Sequence, residues 1–165
     1  MFVAHSGEDS EMSIEELGLS PNLVDLLKNK WGIKELYPPQ KKALPAALSG
    51  KNIMLTIPTA SGKSLIIYLL ARYYDSKTVI IVPTTSLVEQ MTKDFKDYGY
   101  KDPICKIYHG QEVFDAPITV TTWQSFSKAP KEVMQSFDVV IGDEAHLFKA
   151  NVLKGILEKM KTTAV

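Results

Sequence analysis

The stretch Leu55-Thr-Ile-Pro-Thr-Ala-Ser-Gly-Lys-Ser64 decides how the rest of the chain is read. It ends in the Gly-Lys-Ser of a phosphate-binding loop, whose general pattern is G-x-x-x-x-G-K-[ST]. The first glycine of that pattern falls on Ile57, and Pro58 follows it. The loop is therefore stiffer than the general pattern, because isoleucine lacks glycine's freedom and proline fixes φ. Its surroundings are those the motif requires. "NIMLTI" (52–57) reads as a short buried strand, and "GKSLIIYLLARYY" (62–74) as a helix. Backbone N–H groups at a helix start point at an anion, and the helix dipole adds to that. Gly62 lets the backbone approach, the Lys63 ammonium can reach β- and γ-phosphates, and the Ser64 hydroxyl suits Mg²⁺.

Outward from the loop, strands and helices alternate. "TVIIVP" (78–83), "ICKIYHG" (104–110), "ITVTT" (118–122) and "FDVVIGDE" (137–144) read as strands. "SLVEQMTKDFKDYG" (86–99) is an amphipathic helix closed by Gly99, and "NVLKGILEKMK" (151–161) is another helix. "TTAV" (162–165) reads as the start of a further strand. Upstream, "SPNLVDLLKNKWG" (20–32) predicts a helix with Ser20 as cap, Pro21 in the first turn and Gly32 at its end. Its apolar face would be Leu23, Leu26, Leu27 and Trp31. Gln40 to Leu48 reads as a helix bent by Pro45. Continuous apolar strands alternating with helices predict an α/β fold, a mostly parallel sheet with helices on both faces.

The second chemical landmark is "VVIGDEAH" (139–146). Its apolar residues bury a strand, and Asp143 and Glu144 emerge at the C-terminal end, where open parallel sheets bind ligands. An aspartate there can hold Mg²⁺, and the neighbouring glutamate can orient attacking water. By itself such a pair is more often a solvated acidic turn. His146 divides evenly between a surface histidine and a functional one. His5 and His109 have no partner at metal-ligand spacing.

Composition sets bounds. The 165 residues are 45% hydrophobic, which suits one domain with a real core. Formal net charge is zero. Residues 1–18 hold five acids and no Lys or Arg, while the remaining 147 hold 14 acids against 19 bases. That basic excess permits nucleic-acid binding without demanding it. Cys105 is the sole cysteine, which excludes an intrachain disulfide and fits a reducing compartment. No apolar run has the ~18–20 residues of a membrane span, and the N-terminus lacks signal-peptide character. Residues 1–12 read as a disordered, solvated leader, and the location as cytoplasmic, including the interior of an archaeal or phage-infected cell.

"PPQ" (38–40), "PTASGKS" (58–64), "PTTSLVEQ" (83–90), "TTWQ" (121–124) and "GDEAH" (142–146) occur in that order. Together they resemble the first RecA-like domain of superfamily 2 helicases, over about residues 13 to 160. Residues 12–64 resemble the archaeal fork-repair helicases, and residues 65–149 the phage UvsW-type recombination helicases. The resemblance implies a RecA-like P-loop NTPase sandwich of three layers over 13–165, ATP and Mg²⁺ as cofactors, and DNA or RNA as partner. Gln40 would read adenine, with Tyr37 or another nearby apolar residue against the base. Thr59, Ala60, Ser61, Gly62, Lys63 and Ser64 would form the phosphate loop. Ser64 and Asp143 would ligate the metal, with Lys63, Asp143 and Glu144 catalytic. Pro83, Thr84 and Thr85, with Thr121, Thr122, Trp123 and Gln124, would contact the strand backbone. His146 would couple nucleotide state to a partner lobe.

The physics of those contacts stands beside the resemblance. Hydroxyls and N–H groups at strand ends suit phosphate positioning without base reading, although threonines at such places also serve as caps. Trp123 suits base stacking or, more often, a core. Arg72 is the only arginine. At ~1.5 Å per residue it lies about 13 Å along its helix from Lys63, too far to act as an arginine finger there. Such a finger contributes about 10³–10⁵ in rate. The resemblance puts the fingers, half of the nucleic-acid track and the motif expected just after residue 165 in parts beyond these residues. The expectation is a lobe that binds ATP, turns it over poorly and does not unwind alone. A stand-alone nucleotide- and nucleic-acid-binding module is the alternative. A small-molecule kinase fits less well, since Asp143-Glu144 suits water attack and no basic lid is present.

Overall fold

The structure is a computed structural model. It describes residues 2–3, 13–37, 40–41, 44–45, 48, 53–54, 63–108, 115–144, 147, 150–159 and 163–164. The chain divides into two compact units, Met1–Tyr74 and Asp75–Val165.

In the first unit, Phe2–Val3 (β1) pairs in parallel with Ile53–Met54 (β2). Those two residues lie within the stretch expected to be a leader. After a 3₁₀ turn at Glu15–Leu17, helix α1 covers Pro21–Asp25 and runs on as a π-turn, Leu26–Lys30. The widened turn is seen in the Trp31 N–H, which donates to the Leu26 carbonyl five residues back. Ser20 occupies the cap position, but its hydroxyl makes no cap bond. Its carbonyl instead accepts from Leu23 and Val24. Gly32, at φ 64°, ends the segment in the left-handed region that glycine enters at no steric cost. Of the expected apolar face, Leu23 and Leu27 are buried, while Leu26 and Trp31 are half-buried. The Trp31 ring meets Tyr68 edge-on, centroids 5.7 Å apart, which ties this segment to helix α2, Lys63–Tyr74. Helix α2 buries every residue from Leu65 to Ala71. A helix apolar all round is an interior helix, not a surface one.

The second unit is a five-stranded sheet. Its strands are β3 (Thr78–Val82), β4 (Ile104–Ile107), β5 (Ile118–Thr122), β6 (Val139–Gly142) and β7 (Thr163–Ala164). Their order is β4-β5-β3-β6-β7, and every pairing is parallel. All five residues of β3 and all five of β5 are buried. This follows from Val and Ile runs covered on both faces. The crossover after β3 moves toward β4, whereas the one after β5 moves to β6 on the other side. Both crossovers must be right-handed, so their helices lie on opposite faces.

Helix α3, Thr85–Asp97, packs on β3 and β5 through Val88, Met91 and Phe95. Its end is a Schellman motif: Tyr100 N–H donates to the Phe95 carbonyl and Gly99 N–H to that of Lys96. Gly99 has φ 91°, and the Phe95 and Tyr100 rings pack 6.2 Å apart, sealing the turn. The other face carries the short helices α4 (Trp123–Phe126) and α5 (Lys131–Met134), then α6 (Ala150–Lys159). There Val79, Ile81 and Val140 of the sheet form one core with Phe126, Met134, Phe137 and Ile156.

Candidate functional site

Parallel strands bring all their C-terminal ends to one rim. The register aligns Ile107, Thr121, Ile81 and Gly142 in one row across β4, β5, β3 and β6. One residue further on, Tyr108, Thr122, Val82 and Asp143 form the rim itself. Consecutive members are one strand spacing, about 4.8 Å, apart. The chain leaves β3 toward one edge and β6 toward the other, so the crevice of a doubly wound sheet falls between these two strands. Pro83 and Thr84 follow β3 there, and Asp143 and Glu144 follow β6.

Asp143 extends the ladder one residue past its strand, its N–H donating to the Ile81 carbonyl at 2.9 Å. Glu144 then turns off the sheet with φ 52°, a left-handed conformation that costs a residue with a β-carbon about 1–2 kcal/mol. Its carbonyl accepts from Leu147 N–H at 2.8 Å, which closes the turn. Both acids are half-buried. A strained backbone at the exit of a central strand is found at functional turns.

The threonines of the rim divide by task. Thr84 and Thr122 are both extended residues that cap a helix. Thr84 Oγ1 accepts from Leu87 N–H, and Thr122 Oγ1 accepts from Ser125 N–H, each at 3.3 Å. Each hydroxyl also meets a serine hydroxyl at 3.0 Å, Ser86 for Thr84 and Ser125 for Thr122. Thr121 is fully buried and donates its hydroxyl to the Ile107 carbonyl at 2.7 Å. Pro83 is buried, and Trp123 packs half-buried against the core cluster. Thr84, Thr85, Ser86 and Gln124 are the exposed members.

In the first unit, Lys63 and Ser64 stand in the first turn of α2, both half-buried. Gln40 is 2% exposed. Its Oε1 accepts from the Tyr37 N–H at 3.0 Å, and its own N–H donates to the Tyr37 carbonyl at 2.8 Å. The glutamine thus reaches back to the backbone three residues before it, the contact that one half of a capping box makes. The Tyr37 ring is 65% exposed. Thr59, Ala60, Ser61, Gly62 and His146 lie outside the described residues.

Among the described residues no group of three or more His, Cys, Asp or Glu gathers to hold a metal. The Ser64 hydroxyl and Asp143 carboxylate are hard oxygen donors. Each is of the chemical class that Mg²⁺ takes, an ion that keeps several waters and binds through one or two carboxylates plus substrate phosphates. No described helix is long and apolar enough to cross a membrane.

Residues 33–165 match the family described as type III restriction enzyme, res subunit. The ATP-dependent DNA helicase UvsW of phage T4 is 40% identical over 129 residues, 72% of this chain and 26% of that protein. The ATP-dependent DNA helicase Hel308 of Pyrococcus horikoshii is 44% identical over 152 residues, 82% of this chain and 21% of that protein. The chain thus spans about a quarter of the length of these relatives. A crystal structure of T4 UvsW superposes with a TM-score of 0.67 at 31% identity, covering 95% of this chain and 61% of that one. A DEAD-box protein of Methanococcus jannaschii shares the fold, with a TM-score of 0.78 at 22% identity over 93% of this chain and 48% of that one. The parallel sheet, its rim and these matches lead to one conclusion: the chain belongs to the type III restriction enzyme res-subunit family and has the RecA-like α/β fold of a first lobe of superfamily 2 helicases.

Proposed function

We propose that this chain is the ATP-binding lobe of an ATP-dependent nucleic-acid translocase that works on recombination or fork-repair intermediates. The observation that carries the reading is Asp143-Glu144 at the switch point of a parallel sheet, in a chain whose phosphate-loop helix begins at Lys63. Lys63 would neutralise the β- and γ-phosphates. Ser64 and Asp143 would hold Mg²⁺, which supplies charge neutralisation on the phosphates when bound. Glu144 would orient the attacking water and take its proton. Gln40 would read the adenine edge after leaving the Tyr37 N–H contact that now buries its Oε1, with Thr59, Ala60, Ser61 and Gly62 lining the phosphates and His146 relaying nucleotide state. Thr84, Thr85, Ser86 and Gln124 present exposed hydroxyl and amide groups at the rim, the chemistry that positions a phosphodiester backbone. DNA is the favoured strand, because UvsW and Hel308, 40% and 44% identical to this chain, are DNA helicases.

A second reading, binding without turnover by these residues alone, is favoured by Arg72. The sole arginine stands in the last turn of α2, at the far end from Lys63. Rate enhancement from an arginine must then come from outside these residues. The test is fluorescent ATP-analogue binding and phosphate release, with and without single-stranded DNA. Lys63→Ala should lose nucleotide affinity, and Glu144→Gln should keep it while lowering hydrolysis. Undiminished ATP affinity in Lys63→Ala would sink the proposal.

A further inference from the structure

Outside the residues already discussed, one cluster of charged and polar groups lies at the same rim. Lys106 and Tyr108 are two residues apart on and just past β4, so they share one face of the sheet. Glu89, one turn into α3, reaches across to both. Its carboxylate accepts from Lys106 Nζ at 2.9 and 3.1 Å, and its Oε1 accepts from the Tyr108 hydroxyl. The tyrosine and lysine contacts hold the Glu89 carboxyl below its ordinary range, while the carboxylate raises both the Lys106 ammonium and the Tyr108 phenol. Solvent reaches the cluster: Glu89 is 51% exposed and Lys106 29%.

Two donors, one cationic and one neutral, converge here on a single oxyanion. That is the donor set of a phosphate site, and its present occupant is a side chain on an adjacent helix. The position agrees. Tyr108 is in the rim row with Thr122, and Glu89 is four residues from Thr85, one turn along the same helix face. The Ile107 carbonyl is pinned by the Thr121 hydroxyl, which fixes the backbone from which Tyr108 departs.

We infer that Lys106 and Tyr108 form a further phosphate-contact site for the nucleic-acid strand, occupied in the free protein by the carboxylate of Glu89 as an internal anion. Glu89 swings away when a backbone phosphate arrives, so it lowers affinity and selects against weakly held polyanions. The inference rests on the proposed function, because it extends the same rim.

The test is binding of a fluorescent oligo-dT by anisotropy across a salt series. It uses the wild-type chain, Glu89→Gln, Glu89→Gln combined with Lys106→Met, and Asp97→Asn. The Asp97 carboxylate also pairs with a lysine, Lys93, on the same helix, at 2.5 Å. Asp97→Asn therefore removes the same charge away from the rim. Glu89→Gln should bind several-fold tighter, with a log–log salt slope steeper by about 0.7, one more single-strand phosphate contact. The Lys106→Met addition should return both quantities to wild type, and Asp97→Asn should change neither as much. Equal gains from Glu89→Gln and Asp97→Asn, or no change in slope, would overturn the inference while wild-type binding leaves the rim reading intact. If no variant binds the strand, both fall for DNA, and the nucleotide assay above judges the ATP reading separately.

Discussion

Alanine and glycine at position 144 should differ in a direction opposite to their usual one. Glu144 has φ 52°, and alanine there keeps the β-carbon that makes this conformation costly. Comparing Glu144→Ala with Glu144→Gly removes the carboxylate from both variants, so its contacts cancel. Relief of the left-handed strain favours glycine by about 1–2 kcal/mol. The greater freedom of glycine in the unfolded chain opposes it by about 0.4–1 kcal/mol. The net expectation is a glycine variant more stable than the alanine variant by roughly 0.5–1 kcal/mol. Gln90, exposed within α3, provides the contrast. There glycine should be less stable than alanine by about 1 kcal/mol, the ordinary helix penalty. Urea unfolding followed by far-UV circular dichroism measures both pairs under one set of conditions. A glycine variant at 144 that unfolds at lower urea than the alanine variant would refute the strained turn. Both variants should lose hydrolysis, since neither carries a carboxylate. That loss would separate what this residue does chemically from what its backbone costs.

Thr122→Ala should destabilise by about 0.5–2 kcal/mol through loss of the α4 cap, whereas Thr122→Ser should retain most of it; urea midpoints distinguish them. Phe126 is fully buried and meets Phe137 with ring centroids 5.9 Å apart. Phe126→Ala should therefore cost about 3–5 kcal/mol, or abolish the folding transition. The Glu89 carboxyl should titrate below 4.5 by carbon-detected NMR. A depressed carboxyl favours the folded state above its unfolded value, and that contribution fades as pH falls through the folded one. The Lys106 contact should accordingly loosen in acid and persist at neutral pH, and a Glu89 midpoint at or above 4.5 would contradict the cluster.

Elements with long apolar runs were legible in the sequence. The helix expected over 62–74 is found at Lys63–Tyr74, and the strand at 118–122 is found there unchanged. Gly99 marked the end of α3, because a Schellman turn needs a residue at positive φ. Helices α4 and α5 were not read. Four residues are too few for helical periodicity, and their apolar positions instead fill the core beside Val79 and Ile81. The strand expected over 137–144 is shorter, Val139–Gly142. Asp138 is spent on a contact to Lys77, and Glu144 turns away. The cap role of Ser20 failed at the side chain, and the π-turn after Asp25 has no signature in residue types. At the site, Asp143 and Glu144 were placed correctly at a strand end. The division of rim threonines into caps, a buried donor and exposed groups depends on neighbours that no spacing encodes. The Glu89–Lys106–Tyr108 cluster joins residues 17 and 19 apart, and only the folding of α3 over the sheet brings them together.

At the end of the sheet remote from the rim, Lys77 gathers an unusual set of ties. Its carbonyl accepts from Asp138 and Val139 N–H at 2.8 and 3.2 Å, and its own N–H donates to Asp138 Oδ2 at 3.2 Å. Its ammonium pairs with Asp115 at 2.5 Å and sits 5.6 Å over the Phe137 ring. One residue thereby indexes the starts of β3, β5 and β6 to a common origin. A slip of any strand by a single residue would carry its tip about 3.3 Å along and reverse which side chains face each layer. The alignment of Thr122, Val82 and Asp143 is thus gauged from a lysine at the opposite pole, and loops at the working edge can be exchanged without recalibrating the strands beneath them.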